Sequence, residues 1–135
     1  MNTHHKFGYP KRPWVLDSAA KTELEGLEEG IIVADRRGMI VFANTSAITM
    51  HGRLIMGAMP DDYSPLHGLF TEDGRPYPST DLPLARAVLF GESVSGARWR
   101  IRRPDGSRIS AAGDAMPLKD AKGEQNGALL IFRQT

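Results

Sequence analysis

The sequence predicts an α+β domain built on an antiparallel β-sheet, and three observations lead to this class. Two short runs rich in β-branched residues flank a glycine turn near the start of the chain. A short apolar helix follows a proline-rich loop in the middle, and three β-rich runs separated by turns occupy the last third. The 135 residues suit a single domain, and an apolar fraction of 41% is enough for one hydrophobic core.

The first 29 residues precede this sheet. Residues 1–15 carry three charges, two prolines and His4-His5, which is typical of a tail or linker. Residues 16–29 predict a flanking helix that is capped by Asp17 or Ser18 and broken by Gly30. One side of this helix is an apolar stripe of Leu16, Ala20, Leu24 and Leu27. Its other faces are acidic, with Glu23, Glu25, Glu28 and Glu29. Residues 30–135 then form the main domain.

The first part of the main domain predicts a hairpin followed by short helices. The runs IIVAD and MIVFA, on either side of a turn at residues 36–38, form the hairpin. Asn44 is placed to cap a helix that continues to about His51. Residues 52–70 contain so many glycines and prolines that only one-turn helices fit. A further helix begins at about residue 80 or 81 and runs to Phe90, where Gly91 ends it.

The last third predicts a three-strand meander. In the run ARWRIRR, Trp99 and Ile101 point to one face, and Arg98, Arg100 and Arg102 point to the other. The segments PDGS and KDAKGEQ are turns that separate this strand from RISAAGDAMPL and NGALLIF. The runs IIVA and ALLIF are apolar on both faces, as is expected when both faces of a strand are covered. We therefore expect the first and last strands to be central neighbours.

The amino-acid composition indicates the cellular compartment and the classes of binding partner. A net charge of +1 favours neither nucleic acid nor an acidic membrane surface as a partner. The absence of cysteine excludes disulfides, thiolate metal sites and thiol nucleophiles, and it fits a reducing compartment. The longest apolar run, residues 128–132, is far shorter than the roughly 20 residues of a membrane-spanning helix. The sequence therefore predicts a cytoplasmic domain with no nucleic-acid or membrane partner.

Three segments in this order and spacing resemble the PAS sensor domains of bacterial signalling proteins. They are EEGIIVADRRGMIVFANTSA, DGRPYPSTDLPLARAVLFGESV and RIRRPDGSRISAAGDAMPLKDAKGEQNGALLIF, and the resemblance extends from about Leu24 to Phe132. It implies a five-stranded antiparallel sheet of order 2-1-5-4-3, with short helices on one face and a flanking helix. Such domains often end in an Asp-Ile-Thr-like exit. Here the chain reads Phe132-Arg133-Gln134-Thr135, with a basic residue in place of the usual acidic one. The salt bridge of that exit is therefore not expected in this chain.

The resemblance also implies where a ligand pocket would lie. Residues 71–92, stiffened by Pro76, Pro78 and Pro83, look like the lead-in and helix that cover the pocket in such domains. The candidate lining is small or flexible: Ile32, Ala34, Ala43, Ala47, Met50, Leu84, Val88, Ala111 and Leu129. These side chains could leave a cavity or pack into a filled core, and close packing is the usual state of protein interiors.

Residue types that are absent from the sequence exclude several kinds of cofactor attachment. Without cysteine, the flavin–thiol adduct and the thioester-linked chromophore of related photosensors cannot form. Haem-binding members use a histidine on the helix before the meander, and residues 80–91 contain none. His51 or His67 could be an axial ligand instead, and Trp99 could flank a noncovalent flavin. The identity of any cofactor stays open.

No catalytic constellation is visible in the sequence. The run GESVSG lacks the G-x-S-x-G spacing of a nucleophile elbow, and Asp61-Asp62 is a pair of loop carboxylates of the solvated kind. We expect a non-enzymatic domain without a metal site.

Five arginines cluster within eleven residues at positions 98, 100, 102, 103 and 108. They could form a nucleic-acid groove, although we expect no aromatic residue on the arginine face for stacking. They could also face the acidic side of the 16–29 helix. The apolar stripe of that helix could cover the outer face of the sheet, pair with a second copy of the chain, or do both.

Two functions of different class follow. In the first, the domain is a sensory module of a signalling protein such as a histidine kinase. It binds a small apolar ligand and relays a shift through the flanking helix to an output domain or partner protein. In the second, it is a ligand-free dimerisation spacer with a filled core. Both predict a homodimer.

Overall fold

The computed structural model describes residues 16–135, so the predicted tail at 1–15 lies outside the described residues. The helices are α1 (Ser18–Glu25), α2 (Thr45–His51), α3 (Tyr63–His67) and α4 (Pro83–Phe90). The strands are β1 (Gly30–Asp35), β2 (Ile40–Ala43), β3 (Leu69–Phe70), β4 (Val94–Arg102), β5 (Arg108–Lys119) and β6 (Gln125–Gln134). Single 3₁₀ turns at Pro60–Asp62 and Ser79–Asp81 precede α3 and α4. The predicted hairpin, short helices and meander are confirmed.

The strands form one antiparallel sheet of order β2-β1-β6-β5-β4-β3. Five of them occupy the predicted order, and β3 is an additional strand beyond the expected edge. It pairs with β4 through Leu69 opposite Ile101 and Phe70 opposite Arg100. Strand β3 was not predicted, because two residues are too few to show an alternating pattern. The opposite edge strand, β2, exchanges hydrogen bonds between Ile40 and the loop at residues 57–58.

The two central strands are β1 and β6, which pair from Gly30 opposite Phe132 to Asp35 opposite Gly127. Their side chains alternate between two separate hydrophobic clusters, one on each face of the sheet. The inner cluster takes Ile32, Ala34, Ala128, Leu130 and Phe132, and the outer cluster takes Ile31, Val33, Leu129 and Ile131. The prediction that these two strands are adjacent and covered on both faces is confirmed.

Helices α2, α3 and α4 cover the inner face. Leu84 and Val88 of α4 are buried against the sheet, as their spacing of four residues predicts. Arg86, which lies between them, is half-exposed and forms an ion pair with Glu92, with 2.7 Å between Nη2 and Oε1. The left-handed Gly91 ends the helix as predicted.

Helix α1 lies on the outer face and is shorter than predicted. Asp17 caps its start, since Oδ1 accepts a hydrogen bond from the Ala20 N–H at 2.9 Å. The helix ends at Glu25 instead of Glu29, and Gly26 forms its C-cap. Leu27 lies beyond the helix and is still buried in the outer cluster with Leu24. The stripe therefore covers the sheet although its last member is outside the helix.

Gly30 has a packing role in addition to its position at the start of β1. A Cβ atom at this position would lie 2.6 Å from Cζ of Phe132 and 2.8 Å from Cε of Met50. The missing side chain therefore leaves room for the Phe132 ring, which is the largest fully buried side chain of the core.

Candidate functional site

A cavity of about 30 Å³ lies between the inner face of the sheet and the helices. Its walls come from β1, β2, β3, β4, β6 and the helical segments. The lining residues are Ile32, Ile40, His51, Leu54, Tyr63, His67, Leu69, Leu82, Pro83, Leu84, Trp99 and Leu130. Such a space holds about one water molecule, whereas ligand sites in proteins occupy roughly 300–1,000 Å³. The core is therefore almost filled.

The predicted lining residues are distributed unequally around this cavity. Ile32 and Leu84 contact it directly. Six others lie in the same buried inner cluster without lining the cavity: Ala34, Ala43, Ala47, Met50, Val88 and Ala111. The assignment of Leu129 was wrong, because this side chain lies in the outer cluster on the opposite face. Its neighbour Leu130 takes the inner position.

Two buried histidines meet at one end of the cavity. His51 ends α2 and His67 ends α3, and their ring centroids are 5.8 Å apart in an edge-to-face arrangement. The sequence analysis treated them as separate residues. A signal was nevertheless present, because each is the last residue of a short helix and precedes a glycine. Gly52 and Gly68 both adopt left-handed conformations that end their helices.

The hydrogen bonds of these rings define their tautomers. Nδ1–H of His51 donates to the Ala47 carbonyl at 2.8 Å, and Nδ1–H of His67 donates to the Tyr63 carbonyl at 2.8 Å. A carbonyl only accepts, so Nδ1 carries the proton in both rings. Nε2 of His67 accepts from the Ile55 N–H at 3.0 Å. Nε2 of His51 has no hydrogen-bond partner within the described part of the chain.

Burial keeps both rings neutral at pH 7. It lowers the pKa of His51 from 6.5 to about 4, with smaller contributions in the same direction from His67 and Arg103. Burial also lowers the pKa of His67, and the positive charge of Arg53 adds to that effect. His51 therefore presents one unused lone pair in a largely apolar site. His67 has no lone pair left for a metal ion.

Trp99 is a core residue of the inner face. Its ring lies 5.8 Å from that of Phe132, which in turn lies 5.4 Å from the ring of His51. The Phe132 ring therefore lies between the rings of Trp99 and His51, and these two line the cavity. A haem or a flavin ring system does not fit into a space of about 30 Å³ beside them.

Asn44 connects the helices of the two faces and is completely buried. Its Oδ1 accepts from the Ala47 N–H at 2.9 Å, which confirms the predicted helix cap, and from the Ile31 N–H at 2.9 Å. Its Nδ2 donates to the carbonyls of Leu24 at 2.8 Å and Glu29 at 2.9 Å. One side chain thereby joins α1, the connector after it, β1 and α2.

Glu25 provides a second connection between α1 and α2. Its Oε1 accepts from the N–H of Thr45 at 2.8 Å and from the hydroxyl of Thr45 at 2.9 Å. A carboxylate at the start of a helix satisfies a free N–H and interacts favourably with the helix dipole. This acidic residue of α1 therefore caps a helix.

The apolar stripe of α1 lies against the sheet of its own chain. Leu24 is 2% exposed and Leu27 is 7% exposed, and both pack in the outer cluster. Leu16 packs partly buried against the same cluster, and Ala20 is half-buried. The side chains of Leu24 and Leu27 are thus already covered, so any pairing of α1 with a second copy must use its remaining surface.

The outer side of β4 carries Arg98, Arg100 and Arg102, all exposed, which confirms the predicted alternation. Within residues 16–135, no ion pair joins them to α1, which packs on β1 and β6. The expectation that no aromatic residue lies on this face was wrong. Phe70 of β3 pairs with Arg100, and the guanidinium of Arg102 lies 5.3 Å from the centroid of the Phe70 ring.

Across residues 16–135, no group of three or more histidine or acidic side chains is arranged to hold a metal ion. None of the helices in this part of the chain is long and apolar enough to span a membrane.

Comparison with known proteins agrees with this geometry. A family profile described as the PAS fold matches residues 20–135, and no curated protein gives a significant match. Among solved structures, a PAS domain of a Colwellia psychrerythraea protein has a TM-score of 0.59 and 20% identity, covering 87% of this chain and 94% of that one.

Two further structures have similar scores. The PAS domain of an HTR-like protein from Haloarcula marismortui has a TM-score of 0.57 and 20% identity, covering 87% of this chain and 96% of its own. The light-state dimer of the fungal blue-light photoreceptor Vivid has a TM-score of 0.57 and 15% identity, covering 95% of this chain and 86% of its own. These likenesses concern the fold, whereas the profile match covers most of the sequence. The chain therefore belongs to the PAS fold family of sensory and interaction modules.

Proposed function

We propose that the domain is the sensory module of a signal-transduction protein such as a bacterial histidine kinase. In this proposal a small ligand enters the core cavity, and α1 relays the resulting shift to an output domain or partner protein. One observation carries the proposal. Asn44 binds the carbonyl of Leu24 in α1 and caps α2, whose last residue, His51, lines the cavity.

The relay has a short physical route. A ligand that moves the C-terminal end of α2 must displace this rigid two-turn helix or break the bonds at its start. Those bonds include the ones that Asn44 and Glu25 make to join α2 and α1. Strand β1 offers a parallel route, because Ile32 contacts the cavity and Ile31 packs in the outer cluster beneath α1. Packed side chains and hydrogen-bond networks of this kind can carry energetic coupling between two sites.

The lining also indicates the chemistry of the ligand. The cavity is mostly apolar, and Nε2 of His51 offers an acceptor in need of a donor. A small apolar molecule with one hydroxyl or N–H group would satisfy it. A cavity of about 30 Å³ must expand to admit such a ligand, which reduces the apparent affinity.

Native mass spectrometry and an absorption spectrum of the purified full chain test the proposal before any ligand is added. We expect a noncovalent adduct that dissociates on denaturation. Hydrogen exchange with and without the adduct should then change at Leu24, Ile31 and Ala47. An adduct-free protein that shows no thermal shift with any compound of a small-molecule library would contradict ligand sensing.

A second function is favoured by the nearly filled core. In this alternative the domain is a homodimerisation spacer that binds no ligand, and the copies associate through the exposed surface of α1. The fungal photoreceptor of similar fold was solved as a dimer. Sedimentation of the full chain and of a chain lacking residues 1–28 tests the dimer. We expect dimers at micromolar concentration for the former and weaker association for the latter.

A further inference from the structure

A surface cleft of about 510 Å³ lies where the ends of α2 and α3 meet the turn between β4 and β5. It is separate from the core cavity and more than ten times larger. Its volume is in the range of small-molecule sites in proteins, roughly 300–1,000 Å³. The cleft therefore has room for a metabolite-sized ligand without any opening of the core.

Three arginines from different segments line this cleft: Arg53 after α2, Arg102 at the end of β4, and Arg103 in the following turn. No aspartate or glutamate of the described residues is part of its lining. In the turn, the carboxylate of Asp105 accepts from the N–H and hydroxyl of Ser107 at 2.9 and 2.6 Å. No ion pair among the described residues engages the arginines of the cleft, and Arg103 acts on the nearby Asp105, whose pKa is lowered by the hydrogen bonds from Ser107 and, less, by the charge of Arg103.

The guanidinium groups keep most of their donors free. Nε of Arg103 donates to the Met50 carbonyl at 3.0 Å, which holds this side chain at the end of α2. Arg53 makes one long bond, 3.4 Å from Nη2 to the Leu66 carbonyl. Arg102 makes a cation–π contact with Phe70. Since each guanidinium carries five N–H donors, several remain for a ligand.

A second observation comes from His51. This residue is 4% exposed, its Nε2 is without a hydrogen-bond partner among residues 16–135, and it lines the cleft as well as the cavity. His67 lines both spaces too. This free acceptor is therefore available to a proton donor of a ligand bound in either space.

We propose that the cleft binds a small anion with carboxylate or phosphate groups, which the guanidinium groups of Arg53 and Arg103 hold. Planar guanidinium groups match the paired oxygens of both groups and bind them through charge-assisted hydrogen bonds. The concave shape restricts the ligand to small molecules. This site lies outside the core, so the proposal does not depend on whether a ligand binds in the cavity.

The pKa of His51, measured by NMR, distinguishes binding in the cleft from binding elsewhere on the surface. An anion in the cleft brings negative charge close to His51, and an opposite charge nearby favours the protonated ring. The pKa of His51, which burial lowers to about 4, should therefore rise on binding. Binding to scattered surface arginines would not change this pKa.

NMR titration of the full chain with inorganic phosphate and, separately, with citrate tests the proposal, with ionic strength held constant by potassium chloride. We expect saturable shifts at residues 52–53, 66–68 and 102–106, together with a rise in the pKa of His51. The double variant Arg53→Gln, Arg103→Gln should lose about tenfold or more in affinity. The matched control Arg98→Gln, on the outer face of β4, should bind as the unaltered chain does.

The two probes distinguish a phosphoryl ligand from a polycarboxylate ligand. Saturation by phosphate alone identifies a phosphoryl ligand, and saturation by citrate alone identifies a polycarboxylate. Melting curves establish that the double variant is folded. The proposal is overturned if neither probe saturates by about 10 mM, where weak millimolar binding would be visible. It is also overturned if the double variant and the control bind equally well.

Discussion

Nδ2 of Asn44 lies 2.8 Å from the backbone oxygen of Leu24 and donates a hydrogen bond to it, which ties the helix on one face of the sheet to the helices on the other. Asn44 uses all its bonding capacity in this position, with two bonds accepted and two donated. A side chain that was identified as a helix cap is thus also the junction between the proposed sensing and relay elements.

Replacement of Asn44 should be strongly destabilising. Asn44→Ala leaves the Ile31 N–H and the carbonyls of Leu24 and Glu29 without their partner. At about 1–3 kcal/mol for each buried group left unsatisfied, we expect a loss of at least about 3 kcal/mol in the free energy of unfolding. Urea titration measures it. Asp17→Ala, which removes the exposed cap of α1, is the control and should cost about 1 kcal/mol. Equal losses in the two variants would contradict the junction.

Leu84 and Leu89 form a matched pair on α4. Leu84 is 4% exposed and lines the cavity, whereas Leu89 is 44% exposed. Leu84→Ala should lower the free energy of unfolding by about 2–5 kcal/mol, because it enlarges a cavity in a packed core. Leu89→Ala should change it by about 0.5 kcal/mol or less. Denaturant titration of both variants checks the assignment, and a loss at Leu84 no larger than at Leu89 would refute it.

Two glycines near the start of the chain should respond differently to alanine. At Gly30 the added methyl group meets the Phe132 ring at 2.6 Å, and we expect a loss of about 1–3 kcal/mol from overpacking. At Gly26 the nearest atom is the Glu23 oxygen at 3.8 Å, and φ is −81°, so alanine fits without strain. Thermal melting should show a lower Tm for Gly30→Ala and an unchanged or higher Tm for Gly26→Ala. A Gly30→Ala protein as stable as the unaltered chain would mean that the Phe132 ring has room to move.

Stability should fall on acidification because of the buried histidines. The pKa of His51 is lowered from 6.5 to about 4 on folding, so the unfolded chain binds the proton first as the pH falls. The contribution of His51 is complete above pH 6.5 and is lost between pH 6.5 and about 4, at up to about 1.4 kcal/mol per pH unit. The lowered pKa of His67 acts in the same direction.

Urea titrations across this pH window measure the effect, and His51→Gln provides the comparison. The variant cannot take up a proton at this position, so its stability should depend less steeply on pH. Parallel pH profiles for the variant and the unaltered chain would exclude His51 as a source of the dependence.

Much of the fold could be predicted because its elements carry local signals. Alternation identified β4, the turn residues located the hairpin and the meander, and the double-sided apolar runs placed β1 and β6 at the centre. The same property caused the error at Leu129. When a run is apolar on both faces, its pattern does not show which residues face which side of the sheet. A shift of one residue in the assignment then moves a side chain to the other face.

The site was less predictable because it depends on where separate elements meet. The cap at Asn44 is a local feature, but its bonds to Leu24 and Glu29 depend on the position of α1 on the sheet. The contact of His51 with His67 joins the ends of two helices that are separated by an irregular loop. No periodic pattern extends across such a loop, so only the repeated His-Gly ending hinted at it.

The two-residue strand β3 has a further consequence for how copies of the chain can associate. An exposed edge strand offers free N–H and C=O groups that can template pairing with another chain, and proteins block such edges to avoid aggregation. By pairing with Arg100 and Ile101, β3 occupies one end of the long β4 edge, and the remaining stretch carries the exposed charge of Arg98 and a bulge near Gly96. Intermolecular β-sheet extension is therefore disfavoured at this edge.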